Sequence, residues 1–527
     1  MFSTVNLGIS LNMKGRINMN DVYNPNINNT IQDMDKIKEE NKAKAILRFR
    51  IIGIPSLLYG FICAISLYKA YSGIFSVFAV IATVCYTLHA AHTFNKKIGK
   101  FIYFNCTISI LLSISNFITG NEMIIFFNYC GILLLTLVNG LYLFANLENV
   151  SFTEHIKLLI STAIKPISHI ASPIGDLISS RELIKVKKDS KILYVILGII
   201  ITIPTILLTG SLLSSADKVF SNSFESVLMF FDFDYLYGHI MGLAYIAIAT
   251  YLGSYLFVTY LSTKEFAPHK GKMHEFEPII AIIVNSSISL MYMVFCAIQV
   301  YYLFFHAGTL PENYTYAEYA REGFFQLLCV CFLNVIIVLI CNEFFKGNKV
   351  LSYINVAISI CTFIMIASST YRMLMYINEY GLSTTRIFVL WFLMLLVFIM
   401  TGLTIQIKYK KFNFFKYSVI ITSMCYLLLS FGHIDYFIAY YNFNMYDSDK
   451  LYRSGYDFFD NHVDIEYISN LSTDAAPVIH DHYDEFLYSG MISDNYYYNH
   501  ELDKVGIRNF NVSHYIAKNL LEENLDN

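Results

Sequence analysis

Charged side chains are scarce in the long apolar runs of this 527-residue sequence. Hydrophobic residues make up 56% of it and charged residues 15%, whereas soluble domains carry about a quarter charged residues. The apolar residues come in blocks of roughly twenty, about the length that a helix needs to cross a hydrocarbon layer. Asp, Glu, Lys and Arg are missing from the middle of every block. This absence argues against a pump or a proton-coupled carrier, because such proteins place ionisable groups at membrane depth.

Sequence signatures of common enzymes and of secreted domains are also missing. The chain has no nucleotide-binding glycine loop, no H-E-x-x-H pattern and no G-x-S-x-G hydrolase elbow. All ten cysteines fall inside apolar blocks, so the polar C-terminal tail has no disulfide framework. The net charge of −3 gives no general attraction to nucleic acid. We expect no cofactor and no bound metal.

The apolar blocks predict an all-α, polytopic transmembrane helix bundle with about eleven spans. The last block is the shortest, so the count is either ten or eleven. The predicted spans are 51–68, 71–91, 101–119, 123–146, 192–214, 239–261, 278–305, 323–342, 351–371, 387–407 and 417–432.

Lysine and arginine alternate between the predicted loops. One set of loops, together with the six basic residues just before the first span (36–50), holds 25 basic residues, and the intervening loops hold five. Basic residues favour the cytoplasmic side, so the N-terminus is predicted inside and the tail outside. The predicted regions are a disordered or charged cytoplasmic segment (1–50), a first four-helix transmembrane group (51–146), a cytoplasmic amphipathic loop (147–191), a seven-helix transmembrane region (192–432) and an extracytoplasmic helical tail (433–527).

The largest predicted inner loop contains an amphipathic pattern. Leu158, Ile160, Ile164 and Ile167 alternate there with lysines such as Lys157. This pattern is typical of a helix on the inner leaflet, and a packed connector is the alternative.

Amides are the strongest polar groups inside the apolar blocks. Isolated amides at this depth usually form hydrogen bonds between helices, and a polar permeation path is the alternative. The amides are Asn105, Asn128, Asn139, Asn285, Gln299, Gln326, Asn334 and Asn355.

Charged residues collect instead at the predicted outer ends of helices. Thr315 and Glu318 have capping-box spacing, so the eighth span is predicted to start near Thr315. Arg321 follows in the early turns, where a cation opposes the helix dipole. We expect Arg321 to pair with Glu318 or another outer carboxylate, and snorkelling to lipid phosphate is the alternative.

Two further outer segments carry helix-end signals. Gly381 is predicted to end one helix, and Ser383 or Thr384 to begin the next. In the tail, Asp474 is predicted to cap a helix that has Pro477 in its first turn. The candidate functional surface therefore comprises Asp217, Glu318, Arg321, Glu322, Arg372, Glu379, Arg386 and Asp474.

Four of these segments resemble motifs of an uncharacterised family of bacterial multi-pass membrane proteins, known as a domain of unknown function. The segments are 316–327 with its Tyr-Ala-Arg-x-Gly-Phe-Phe pattern, 372–386, 215–217 and 471–477. The resemblance covers roughly residues 190–480 and implies a bacterial cytoplasmic membrane. It implies no activity, cofactor or catalytic residue.

Three functions fit the sequence. The first is an outward-facing binding or regulatory component of the cell envelope, with the bilayer and either an envelope protein or a lipid headgroup on the outer face as partners. The second is a membrane enzyme acting on a lipid-linked or headgroup substrate, which needs acidic groups converging with a basic phosphate binder. The third is an uncoupled permease for a small neutral solute, lined by the amides.

Overall fold

The computed structural model describes nine ranges of the chain, which are helical between turns and contain no strand. The predicted all-α class is therefore confirmed for these ranges. They are 42–147, 150–180, 233–263, 276–305, 324–345, 348–409, 411–447, 465–482 and 507–526, with the single positions 39, 209 and 220. Most of the predicted disordered or charged segment 1–50 falls outside them, and its described part, 42–50, is helical.

Ten of the helices coincide with predicted spans. They are α1 (Ile54–Leu67), α2 (Ile74–Thr93), α3 (Lys100–Ile118), α4 (Glu122–Phe144), α7 (Phe233–Leu261), α8 (Pro278–Phe305), α9 (Phe324–Phe344), α10 (Lys349–Tyr380), α11 (Thr384–Lys408) and α12 (Phe414–Ser430). The predicted inner loop contains α5 (Phe152–Ile164) and α6 (Ser172–Ser180). After α12 come α13 (Ile434–Asp447), α14 (Ile465–Ser469), α15 (Ala476–Asp481) and α16 (Val512–Asp526).

Nine of the described helices are long and apolar enough to cross a membrane. The first of these runs as Lys42–Leu67 and includes the π-helical turn Phe49–Gly53 before α1. The pair α12 and Ile434–Met445 meets the same criterion only together, and the two helices are bent by 57° at their break. Except for the single position 209, the predicted span 192–214 lies outside the described residues. The prediction of a many-span helical bundle is therefore confirmed.

The chain forms two compact units. The larger comprises Tyr59–Ile167 and Ile240–Asn527, and the smaller comprises Met1–Leu58 and Ser168–His239. In the smaller unit, α6 packs against Phe49–Gly53. Its buried Asp176 carboxylate pairs with the Arg48 guanidinium.

The core of the larger unit lies mainly among α8, α9, α10 and α11, where buried apolar side chains such as Cys331, Ile358 and Met400 meet. Amides join these and other helices, as predicted. Asn105 donates to Asn139 at 2.9 Å, and other bonds join Asn285 to Asn355 and Asn334 to Thr362. For these five amides the predicted interhelical bonding is confirmed.

Successive helices run in opposite directions, so the described turns of the larger unit lie at its two ends. The C-terminus of α3, the N-terminus of α4 and the C-terminus of α12 meet the tail helices α15 and α16 at one end. We call this the outer end, after the predicted orientation. The other end, which we call the inner end, carries the C-termini of α9 and α11 and the N-termini of α5 and α12. Which end faces the cytoplasm stays a prediction.

The predicted amphipathic helix in the inner loop exists as α5. Its Leu158 is buried among side chains of α4 and α7 such as Leu141 and Tyr260, whereas Ile160 and Ile164 are exposed, as is Ile167 in the following 3-10 turn. The helix thus has one packed face and one apolar exposed face. Contact of that exposed face with the inner leaflet stays a prediction.

Candidate functional site

A network of buried polar side chains fixes the tail to the outer end of the helices. Its centre is Asp474, which is 6% exposed. The Asp474 carboxylate accepts hydrogen bonds from the Thr119 hydroxyl and, at 2.8 Å, from the Gly120 N–H. Both donors belong to the short turn between α3 and α4. The carboxylate therefore stabilises this buried turn, because without it the Thr119 hydroxyl and the Gly120 N–H would lack this acceptor.

The predicted capping role of Asp474 is wrong. The residue lies inside a 3-10 turn, Thr473–Ala475, whose N-cap is Ser472. Helix α15 begins at Ala476 without a side-chain cap, although Pro477 does lie in its first turn as predicted. Asp474 does not cap α15 because its side chain points to the α3–α4 turn instead.

His433 supplies the third contact of Asp474. Its Nδ1 lies 3.5 Å from the carboxylate, and it occupies the break between α12 and α13 with a φ of 42°. Burial acts to raise the pKa of Asp474, but hydrogen bonds from His433, Ser513, Thr119 and Gly120 outweigh it, so the pKa lies below its ordinary value. The folded protein therefore holds Asp474 as a carboxylate.

A second buried carboxylate, Asp435, continues the network. It accepts a hydrogen bond from the Asn121 amide at 2.8 Å and from the Ser472 N–H at 3.1 Å. The Asn121 side chain also caps α4 by accepting from the Ile124 N–H. One amide thus orders a membrane helix and a tail contact together.

The C-terminal helix α16 completes this arrangement. The Asn511 amide donates to the carbonyls of Ser72, Asn116 and Thr119 at 2.9–3.1 Å. Thr473 bonds Ser513 at 2.7 Å. A Cβ built on Gly120 would lie 1.9 Å from the Thr473 hydroxyl, so only glycine permits this close approach.

Most of these contacts were not predicted from the sequence. Asn121 and Asn511 could have been proposed as N-caps, because each immediately precedes a helix. His433 and Asp435 carry no local signal beyond following an apolar block. Their partners are distant in sequence and become neighbours only in the fold.

Arg386 and Gly381 form a second outer feature. Gly381 ends α10 with a φ of +74°, as the sequence predicts, and the Leu382 backbone pairs with the Asn442 side chain. Arg386 donates to the Tyr380 and Gly381 carbonyls, and its guanidinium lies 4.2 Å from the Tyr376 ring centre. Arg386 therefore stabilises the last turn of α10. Ser383 occupies the N-cap position of α11, but its side chain accepts no hydrogen bond from the helix.

Arg372 lines an apolar crevice of about 320 Å³ among α8, α9 and α10. Its guanidinium lies 3.4 Å from the Gln299 carbonyl oxygen, which also accepts from the Ser368 hydroxyl at 2.7 Å. Gln326 lines the same crevice, together with apolar residues such as Phe295. These polar groups all lie near the outer ends of their helices.

The remaining candidates are placed as follows. Glu379 is half-buried, and it is about 10 Å along α10 from Arg372, too far for a direct ion pair. No contact joins Asp474 to Arg372 or Arg386 among the bonds of the described residues. Asp217, Glu318, Arg321 and Glu322 lie outside the described residues, and so does the predicted helix start at Thr315. Within the described ranges no three His, Cys, Asp or Glu side chains form a metal-binding group.

Comparison with known proteins gives one match. A family model described as "Domain of unknown function (DUF4153)" matches residues 106–482, which is more than half of the chain. The matched range contains Thr119, Arg372, His433 and Asp474. No curated protein and no solved structure matches the chain.

Proposed function

Since the chain belongs to the family described as domain of unknown function DUF4153, we propose its function from the site: an outward-facing binding or regulatory component of the bacterial cell envelope. We propose further that its ligand is the anionic headgroup of a membrane lipid. The observation that carries this proposal is the apolar crevice lined by Arg372, Gln299 and Gln326, in which the Arg372 guanidinium lies beside the Gln299 carbonyl oxygen.

The depth of Arg372 supports a headgroup ligand. Helix α10 has 32 residues, and Arg372 lies about 35 Å from its first residue along the axis. A hydrocarbon layer is about 30 Å thick, so a helix that enters near Lys349 brings Arg372 to the far boundary. The forked N–H groups of a guanidinium match phosphate oxygens. The apolar wall beneath suits an acyl chain.

Two observations disfavour the alternative functions. The buried carboxylates Asp474 and Asp435 are bonded by Thr119, Gly120, Asn121, Ser472 and His433, and in the described residues no lysine or arginine joins them. This differs from the acid and phosphate-binder cleft that a lipid-linked transferase needs. Asn105 bonds Asn139, Asn285 bonds Asn355 and Asn334 bonds Thr362, so these side chains are less suited to line a permeation path.

Lipid binding to the purified full chain tests the proposal. The protein is placed in nanodiscs of neutral lipid, and binding of phosphatidylglycerol is measured by native mass spectrometry. We expect Arg372→Gln to weaken binding about tenfold or more, which corresponds to about 1.4 kcal/mol. Arg372→Lys should retain part of the affinity, because it keeps the charge but loses the fork.

The control variant is Lys69→Gln, which removes an exposed outer cation outside the crevice. We expect it to bind like the unaltered protein. Equal affinities for Arg372→Gln and the unaltered protein would refute a headgroup site at Arg372.

A further inference from the structure

A second cavity, of about 300 Å³, lies at the inner end of the larger unit. The segment before α5, the C-terminal turns of α9 and α11 and the start of α12 enclose it. It shares no residue with the Arg372 crevice or the Asp474 network, so it is independent of the proposed outer function.

A buried carboxylate lines this cavity. Glu343 in the last turn of α9 is 8% exposed, and both of its oxygens face one donor, the Thr153 N–H, at 3.0 and 3.3 Å. A carboxylate has about four acceptor positions. Among the described residues no ion pair includes Glu343. A buried carboxylate of this kind is stabilised by a cation that enters with hydrogen-bond donors of its own.

Aromatic rings form much of the remaining wall. Phe152, Phe412, Phe414 and Phe415 line the cavity, and the Phe152 ring centre lies 5.2 Å from that of Phe414. The faces of aromatic rings attract cations, and rings combined with a carboxylate are typical of sites for organic ammonium groups. Amide side chains, including Asn342, add oxygen acceptors.

His155 lines the same cavity without adding a positive charge. Its Nδ1 lies 2.7 Å from the Ser151 carbonyl and its Nε2 lies 3.2 Å from the Tyr142 hydroxyl. The neutral ring satisfies both contacts, with Nδ1–H donating and Nε2 accepting. Burial lowers the pKa of His155, which keeps the ring neutral near pH 7. The lining includes one lysine, Lys411, whose side chain is exposed to water.

We propose that this cavity binds an organic ammonium group, with the Glu343 carboxylate as its counter-ion and the phenylalanine rings as its apolar wall. Either a dissolved amine or the headgroup of an ethanolamine lipid carries such a group. The cavity lies at the ends of α9, α11 and α12, and the ends of membrane helices lie where lipid headgroups meet water. Both a dissolved amine and a lipid headgroup can therefore reach it.

Calorimetric titration of the full chain tests the proposal and separates the two sources. Ethanolamine hydrochloride and tetramethylammonium chloride are titrated into nanodiscs of phosphatidylglycerol, with sodium chloride and sodium phosphate as comparison salts. Saturable binding of an ammonium salt alone supports the site. If that binding disappears in nanodiscs containing phosphatidylethanolamine, the lipid headgroup is the occupant, and if it persists, a dissolved amine is.

Variants identify the residues responsible. We expect Glu343→Gln to weaken ammonium binding at least tenfold, while its amide oxygen still accepts from the Thr153 N–H and preserves the fold. Phe412→Leu should weaken binding through loss of one ring. Glu154→Gln is the matched control, because it neutralises a carboxylate of α5 that does not line the cavity. Undiminished binding in folded Glu343→Gln, a stronger response to phosphate, or no saturable ammonium binding would each overturn the proposal.

Discussion

Removal of the Asp474 carboxylate measures how strongly the tail is held to the membrane helices. In Asp474→Ala, the Thr119 hydroxyl and the Gly120 N–H both lose their acceptor in a buried site. Each buried donor left unsatisfied costs about 1–3 kcal/mol. We therefore expect the free energy of unfolding to fall by about 3 kcal/mol, whereas loss of a simple N-cap costs about 1 kcal/mol.

Asp474→Asn separates the hydrogen bonds from the charge. The asparagine oxygen can accept from one of the two donors, but its amide group faces the other. We expect a smaller loss than in Asp474→Ala, of about 1–2 kcal/mol. Asp474→Ala should lose more stability than Asp474→Asn, because the carboxylate accepts from two donors and the asparagine oxygen from one.

Unfolding of the purified full chain in mixed detergent micelles gives the free energy, and limited proteolysis of 465–482 reports release of the tail. The control is Asp481→Ala, since that side chain is 76% exposed and should change stability by less than about 0.5 kcal/mol. If Asp474→Ala and Asp481→Ala lose the same stability and the tail stays resistant in both, Asp474 does not hold the tail.

Three further predictions follow from the outer end and the topology. Because the pKa of Asp474 lies below its ordinary value, the carboxylate stabilises the fold above the unfolded-state pKa of about 4, and this stabilisation is lost as pH falls through the folded-state pKa. The free energy of unfolding should therefore fall less between neutral and acidic pH in Asp474→Asn than in the unaltered protein. Gly120→Ala places a Cβ where the tail lies, so it should increase proteolysis of the tail, whereas Gly99→Ala, which meets no atom within 4 Å, should not. A cysteine at Asn461 should be labelled from outside intact cells and one at Ser179 should not; the reverse pattern would invert the predicted orientation.

The sequence determined the features that depend on neighbouring residues. A run of about twenty apolar residues has few alternatives to a membrane helix, because a helix satisfies all its backbone hydrogen bonds locally. Gly381 was identifiable for the same reason, since the left-handed conformation at a helix end favours glycine. Five of the amides within the spans, Asn105, Asn139, Asn285, Asn334 and Asn355, were correctly assigned to interhelical bonds, although their individual partners were not predictable.

Only the tertiary structure decided what the buried carboxylates do. Asp474 was predicted to cap the adjacent helix, yet its donors are 354 and 355 residues away in the chain. Glu343 gave no sequence signal, because a glutamate at the end of an apolar block is ordinary. Only the fold brings it to the Thr153 N–H, in a cavity that four phenylalanine rings also line. The residues next to an aspartate or glutamate in the sequence predict only the hydrogen bonds that its carboxylate can accept from nearby backbone N–H groups. Once it is buried, the hydrogen bonds that offset its desolvation come from whichever helix ends the fold brings beside it.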